Sequence, residues 1–323
     1  MKLQIMPIVD LPLDELRNYK PRLTRTSRFT QFWSENVNQA QEQPLNVQTK
    51  PISYFSNKVK VSKVTFEGFI DKSPIVGRFI KSTERKDKDP TLVFFHGYGS
   101  SKGTVSDYLG WIMLGFSVFS IDMRGQSGES PDRAEYNYGN ITGHMTKGIL
   151  NESSYYYRYA YMDCYRAIEY VLTREDIDGR IGVVGHSQGG GISLAMASLH
   201  KKIAIVMSSV PFLCNFGRAV NVAETGPYIE ILNYLKTHPD DEYRIMETLS
   251  YFDTMNLAPE IKSTTLISVG LVDTTCPPST VFATYNHVGT VQKDLAIYPG
   301  MGHEELNIYI EKKMRWTANC FAL

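Results

Sequence analysis

The sequence predicts one α/β domain, with an eight-stranded, mostly parallel sheet and helices on both faces. Six short apolar runs recur between residues 91 and 303: TLVFFHG, FSVFSID, IGVVGHS, IAIVMSSV, TLISVGLVD and LAIYPGMGH. They alternate with longer stretches of helical character, the mark of parallel strands covered on both faces. Ahead of them VSKVTFEGF and IVGRFIKS are rich in β-formers and are separated by the turn-forming residues Asp71 to Pro74, which predicts an antiparallel hairpin. Six strands and a hairpin make eight.

In chain order, residues 1–50 are polar, with one amphipathic patch, RFTQFWSENV, and read as an N-terminal arm packed on the domain. Helices are expected at 155–173, 188–200, 241–250, 278–287 and 304–318. Two stretches break the strand–helix rhythm, 127–154 and 211–239. Loops of such length in a compact domain usually carry function or assembly, so substrate selection is expected there. No repeat, low-complexity linker or composition shift marks a second domain, so residues 1–323 read as one unit with two insertions.

The 34 basic and 34 acidic residues cancel, leaving no footprint for nucleic acid or an anionic membrane. A small, roughly neutral ligand suits this balance better than a polyanion. The 20 Tyr and 15 Phe supply material for pockets or subunit interfaces. Cys164, Cys214, Cys276 and Cys320 have no CxxC or metal-ligand spacing and read as free thiols. The opening MKLQIMPIVDLPLDEL is too short and too interrupted for a signal peptide, and no apolar run approaches the ~20 residues of a membrane span. The expected location is cytoplasmic.

The stretch GVVGHSQGGG carries the chemistry. GHSQG fits the G-x-S-x-G nucleophile elbow of the α/β-hydrolase fold, with a strand, IGVVG, before Ser187 and a helix, QGGGISLAMASLH, after it. A glycine-rich loop that merely caps a helix would not require both flanks. Gly185 and Gly189 answer the close approach of strand and helix at such a turn, where a Cβ would clash.

A serine hydroxyl needs a histidine to take its proton and a carboxylate to hold that histidine. The chain order in this fold is Ser, acid, His. His303 follows the last strand at the same sheet edge as Ser187, whereas His238 and His287 read as surface residues. Asp273 ends the preceding strand, and the two prolines behind it stiffen its loop. Asp253 lies in a polar helical stretch and Asp294 at the opposite sheet edge, so both are weaker candidates. Cys276 lacks an elbow and reads as a structural thiol. The backbone amides of Gln188 and Tyr98 are the expected oxyanion donors, and the Tyr98 ring is a candidate wall for the acyl pocket. These groups fill every role of acyl transfer without a metal or organic cofactor.

With these residues in place, the chain resembles the acetyl xylan esterase and cephalosporin-C deacetylase family, carbohydrate esterase family 7. The resemblance rests on RGQ at Arg124, Gly125 and Gln126, GHSQGG at Gly185 to Gly190, and HE at His303 and Glu304. DLPLDELRNYK, RFTQFW, HGYG, YYYRYAYMDCYRAIEY and GLVDTTCPP extend it along essentially the whole chain. It implies Ser187 as nucleophile, Asp273 as acid, His303 as base, and Tyr98 and Gln188 as oxyanion donors. It further implies deacetylation of short xylo-oligosaccharides and cephalosporin C, little activity on long acyl chains, and a homo-hexamer whose sites open on an internal cavity. RGQ reads as scaffold near the site rather than as chemistry. The alternative is an α/β-hydrolase carboxylesterase or peptidase of another substrate class.

Overall fold

The structure is a computed structural model and describes residues 9–85, 88–137 and 139–321. The opening residues 1–8, on which part of the signal-peptide reading falls, lie outside the described residues.

The chain begins with α1 (Leu13–Asn18) and α2 (Phe29–Glu42), followed by three antiparallel strands, β1 (Gln48–Ile52), β2 (Val59–Glu67) and β3 (Pro74–Ser82). Then come β4 (Asp89–Phe95), α3 (Leu109–Met113), β5 (Ser117–Ile121), α4 (Tyr156–Leu172), β6 (Ile177–His186), α5 (Gln188–Leu199) and β7 (Ile203–Ser209). A helical segment follows: α6 (Phe216–Val222), α7 (Tyr228–Thr237), α8 (Glu242–Phe252) and α9 (Thr254–Leu257). The chain closes with β8 (Thr264–Gly270), α10 (Pro278–His287), β9 (Lys293–Tyr298) and α11 (Asn307–Phe321).

The sheet has nine strands in the order β1-β2-β3-β5-β4-β6-β7-β8-β9. Strands β4 to β9 pair in parallel, and the six apolar runs of the sequence form them. The expected count of eight is corrected by β1, which pairs antiparallel with β2 at the sheet edge. Its sequence, QTKPI, is exposed at every position. It has no buried face and hence no hydrophobic period to read, and Pro51 is tolerated because an edge strand has a free hydrogen-bonding side.

Alternate residues of the central strands face opposite cores. Val183, Val206 and Ile267 join one cluster with α2, α4, α5 and α10, while Val184, Met207 and Leu266 join another with α3 and α11. The first face buries the aromatic supply noted in the sequence. Trp33 stacks on Tyr161 and meets Phe252 edge-on, and its Nε1 donates to the Tyr251 carbonyl at 2.9 Å.

The second insertion differs from a loop. Residues 211–239 fold into α6 and α7, and α7 buries Tyr228, Ile231 and Tyr234 at a three-residue spacing. Residues 127–154 contain turns and irregular backbone but no helix or strand among the described residues. Both insertions lie beside the C-terminal ends of the parallel strands, over the site described next.

Candidate active site

β6 delivers Ser187 and α5 begins at the next residue. To make that reversal in one residue, Ser187 adopts φ +55° and ψ −118°, a conformation that costs an L-residue about 1–3 kcal/mol and persists only where its surroundings enforce it. They do: its N–H donates to the Ser209 carbonyl, and its own carbonyl accepts from Gly191 and Phe212. A Cβ at Gly189 would lie 1.8 Å from the Phe95 carbonyl oxygen, and one at Gly185 would lie 2.1 Å from the Gly189 carbonyl carbon. The elbow closes only with glycine at both places.

Ser187 Oγ lies 2.8 Å from His303 Nε2, and His303 Nδ1 lies 2.8 Å from Asp273 Oδ2. An ionised carboxylate only accepts, so the ring proton sits on Nδ1 and Nε2 is free to accept from the serine. Asp273 is fully buried, and its other oxygen accepts from the Thr275 and Cys276 amides at 2.8 Å each. The loop behind Asp273 thus orients the carboxylate through its backbone. Cys276 is fully buried, and burial pushes its thiol well above the ordinary value, with the Asp273 charge adding to the effect. One ligand atom from each of Asp273, Cys276 and His303 falls within 4.8 Å of the others. With the thiol held protonated and both imidazole nitrogens engaged, the group is suited to relaying a proton, not to holding a cation.

The rival residues sit elsewhere. His238 is exposed, and His287 Nε2 meets the Pro21 carbonyl at 2.8 Å. Asp253 is buried as the N-cap of α9, accepting from the Asn215, Phe216 and Met255 amides. Asp294 lies at the start of β9 and accepts from Trp316 Nε1.

Tyr98 lies on the turn after β4 and lines the same cavity of about 460 Å³ as Ser187 and His303. Neither its backbone N–H nor that of Gln188 donates to a backbone carbonyl among the described residues. The turn is fixed from several sides. The Gly99 amide donates to Gln126 Oε1 at 2.8 Å, and the Gln126 and Gln188 side-chain amides pair reciprocally at 3.0 and 3.2 Å. Gln126 also donates to the Tyr156 hydroxyl, while the Tyr157 hydroxyl donates to Gln188 Oε1. His96 accepts the Met123 N–H on Nε2, and burial holds its imidazole below the usual pKa.

Arg124 is fully buried and bidentate on Asp163, at 2.7 and 3.0 Å, with Nη1 on Asp71 at 2.8 Å. Burial opposes its charge, but Asp163 outweighs that and keeps the guanidinium protonated beyond its ordinary range. Gly125 has φ +65°, and a Cβ there would lie 2.8 Å from Asp132 Cβ. Arg124 and Gly125 therefore build the loop, and Gln126 extends from it to the turn beside Ser187.

Three groups went unnamed in the sequence. Glu304, the glutamate of HE, is exposed, whereas Glu305 accepts from Ser209 Oγ at 2.6 Å and pairs with the buried Lys313. His186 Nε2 lies 3.1 Å from the His303 carbonyl oxygen, bracing the loop that carries the imidazole. Glu230, in the first turn of α7, reaches into the cavity and binds Tyr98. The hydrogen-bond partners of Glu230 lie far away in the chain, so no local motif announces it.

This fold and arrangement define a class, the α/β-hydrolases, with the Ser187–His303–Asp273 relay at the C-terminal ends of the parallel strands. Residues 6–320 match the family model described as acetyl xylan esterase (AXE1), and the chain belongs to that family. Over 299 residues it is 26% identical to acetyl esterase Axe7A of Xylanibacter ruminicola, covering 87% of this chain and 64% of the relative's length. The acetyl xylan esterase from Paenibacillus sp. R4 superposes with a TM-score of 0.92 at 40% identity, over 95% of this chain and 98% of that one. Acetyl xylan esterase 1 from Thermoanaerobacterium sp. JW/SL YS485 also has a TM-score of 0.92, at 31% identity, covering 97% and 99%. Acylaminoacyl peptidase, at 18% identity and a TM-score of 0.60, shares the fold alone. Among the described residues no helix is long and apolar enough to cross a membrane. Membership in this family supports hydrolysis of acetyl esters.

Proposed function

We propose that the protein is a serine esterase that removes O-acetyl groups from short xylo-oligosaccharides and related small acetyl esters, cephalosporin C among them. The observation that carries this reading is the continuous Ser187–His303–Asp273 hydrogen-bond chain, 2.8 Å at each step.

His303 Nε2 takes the Ser187 proton as Oγ attacks the acetyl carbonyl, and Asp273 stabilises the imidazolium that forms. The tetrahedral oxyanion is held by the Tyr98 and Gln188 amides, neither of which is committed to a backbone carbonyl among the described residues. His303 then returns its proton to the leaving sugar oxygen, giving an acetyl-enzyme and free alcohol. Water, deprotonated by His303, attacks the acetyl group, and His303 returns that proton to Ser187 Oγ as the acyl–oxygen bond breaks and acetate leaves. Protons balance across the two halves, and every step uses residues of this chain. The cavity, walled by Tyr98, Pro227, Glu230 and Thr275, has room for an acetyl group together with part of the sugar that carries it. The hexamer that the family resemblance implies belongs to the same proposal, and light scattering of the purified protein tests it.

Acetate release from acetylated xylo-oligosaccharides, beside matched butyryl esters, tests the substrate class. Fast acetate release with slow butyrate release supports it; preferential turnover of long acyl chains or of peptides replaces it with the carboxylesterase or peptidase alternative.

A further inference from the structure

The two insertions over the site meet on one carboxylate. Glu230, in the second insertion, accepts the Tyr98 hydroxyl proton at 2.7 Å on Oε1 and 3.0 Å on Oε2. In the first insertion, the His144 amide donates to the same Tyr98 hydroxyl at 2.5 Å, and the Met145 amide donates to Glu230 Oε2 at 3.0 Å. Just before them Gly143 has φ +66°, which strains any other residue, and a Cβ there would lie 2.2 Å from both Glu230 carboxylate oxygens, so a larger residue would also push the carboxylate aside.

The position of this cluster gives it meaning. Tyr98 is the residue whose backbone amide faces the role of oxyanion donor, and its turn is already tied at Gly99 by Gln126. The Gln126 tie fixes the turn on one side of residue 98. Glu230 fixes it on the other, through the ring. The His144 ring meets Tyr98 edge-on at 5.5 Å, and Phe212 does so at 6.3 Å, so two aromatic rings pack against the Tyr98 ring.

We infer that Glu230 is a positioning residue of the reaction: by holding the Tyr98 hydroxyl it fixes the Tyr98 backbone amide over Ser187 and couples both insertions to the oxyanion site. The inference rests on the serine-esterase reading above. Burial pushes the Glu230 carboxyl above its ordinary pKa, while the Tyr98 hydroxyl and the two loop amides pull it back. The array is thus a partly desolvated set of hydrogen bonds, in which removing either partner strands the other.

An oxyanion donor acts only in the transition state, so its displacement lowers kcat and leaves KM. A donor displaced rather than deleted costs about 10- to 100-fold in kcat. The test is steady-state kinetics with p-nitrophenyl acetate for Glu230→Ala, Glu230→Gln, Tyr98→Phe and the double variant Tyr98→Phe/Glu230→Ala, each checked for native melting. Glu230→Ala and Tyr98→Phe should each lose that factor in kcat with KM changed by less than about 3-fold. Glu230→Gln, which keeps an acceptor for the hydroxyl, should recover most of the loss. The double variant should be no worse than the poorer single one, because both remove the same link. If Glu230→Ala does not fold, Tyr98→Phe carries the test alone, with the same expected kcat loss. A folded variant with unchanged kcat, losses that add in the double variant, or a change in KM alone would overturn the inference. Ser187→Ala run alongside separates the two readings: if it is inactive while Glu230→Ala and Tyr98→Phe are fully active, only the positioning role fails. If Ser187→Ala is active, the esterase reading fails with it.

Discussion

Replacing Arg124 with methionine isolates the energetic role of RGQ. Arg124 is fully buried, and the Asp163 side chain it grips is 2% exposed. The variant loses two hydrogen bonds to Asp163 and one to Asp71. Asp71, whose side chain is 14% exposed, can recover water; Asp163 cannot, and among the described residues its side chain keeps only the Phe69 amide at 2.7 Å. Breaking one side of a buried ion pair costs about 3–5 kcal/mol because a charge is left uncompensated. Taking about 4 kcal/mol and a urea dependence of about 3 kcal/mol per molar, the denaturation midpoint should fall by about 1.3 M.

The same physics fixes how that loss depends on pH. Burial raises the Asp163 carboxyl even with Arg124 pulling it back; without the guanidinium it is raised further above its unfolded value, so the variant loses more stability than the parent as pH rises from about 4, and the penalty is smallest in acid. The double variant Arg124→Met/Asp163→Leu removes both charges and should recover at least half of the loss. Urea titrations of the three proteins at two pH values provide the assay. A single variant within about 1 kcal/mol of the parent, or a double variant less stable than the single, would refute the reasoning.

Gly189→Ala drives a Cβ to 1.8 Å from the Phe95 carbonyl; because the obstacle is backbone, urea denaturation should show a loss of at least about 3 kcal/mol. A Cβ added at Gly217, inside α6, would meet nothing within 4 Å beyond its own helix, and the residue has no positive φ, so Gly217→Ala should raise stability by about 0.4–1 kcal/mol in the same assay. Burial, aided by the Lys147 charge, holds the His144 imidazole down to about 4. Its folded pKa is below its unfolded one, so its contribution is complete above about pH 6.5 and is lost as pH falls toward 4; melting temperatures across that range should fall less steeply in His144→Asn. Gln126→Ala frees the Gly99 amide and removes the reciprocal pair with Gln188, which keeps the Tyr157 hydroxyl, and steady-state kinetics should show kcat lower by about 10-fold with little change in KM.

The inner parallel strands are legible because they are buried on both faces and so read as nearly unbroken apolar runs, while β9, half-buried at the sheet edge, is legible only through the short run LAIY. β1 was not, since an exposed edge strand of sequence QTKPI carries no period. α3 escaped because five residues behind a single 3-10 turn are too few to establish one. The periodicity of α7 is present at Tyr228, Ile231 and Tyr234, but three apolar positions over seven residues are too few to set a helix apart from a loop. At the site, Ser187, Asp273 and His303 could be named because the elbow and the two strand ends are local signals, and the fold brings all three to one edge. Glu230 and Glu305 carry no such signal. Glu230 meets Tyr98 from 132 residues away. Glu305 is distinguished from its exposed neighbour Glu304 only by which one turns toward Ser209 and Lys313.

In the proposed reaction Ser187 accepts the acetyl group from the ester, and rapid-quench mass spectrometry during turnover of an acetyl ester can capture it there. One added acetyl group is expected on the peptide containing Ser187, appearing before steady state, absent from Ser187→Ala, and accompanied in that variant by loss of nearly all acetate release. Undiminished acetate release by Ser187→Ala, or an acetyl group captured on another residue at the rate of turnover, would contradict it.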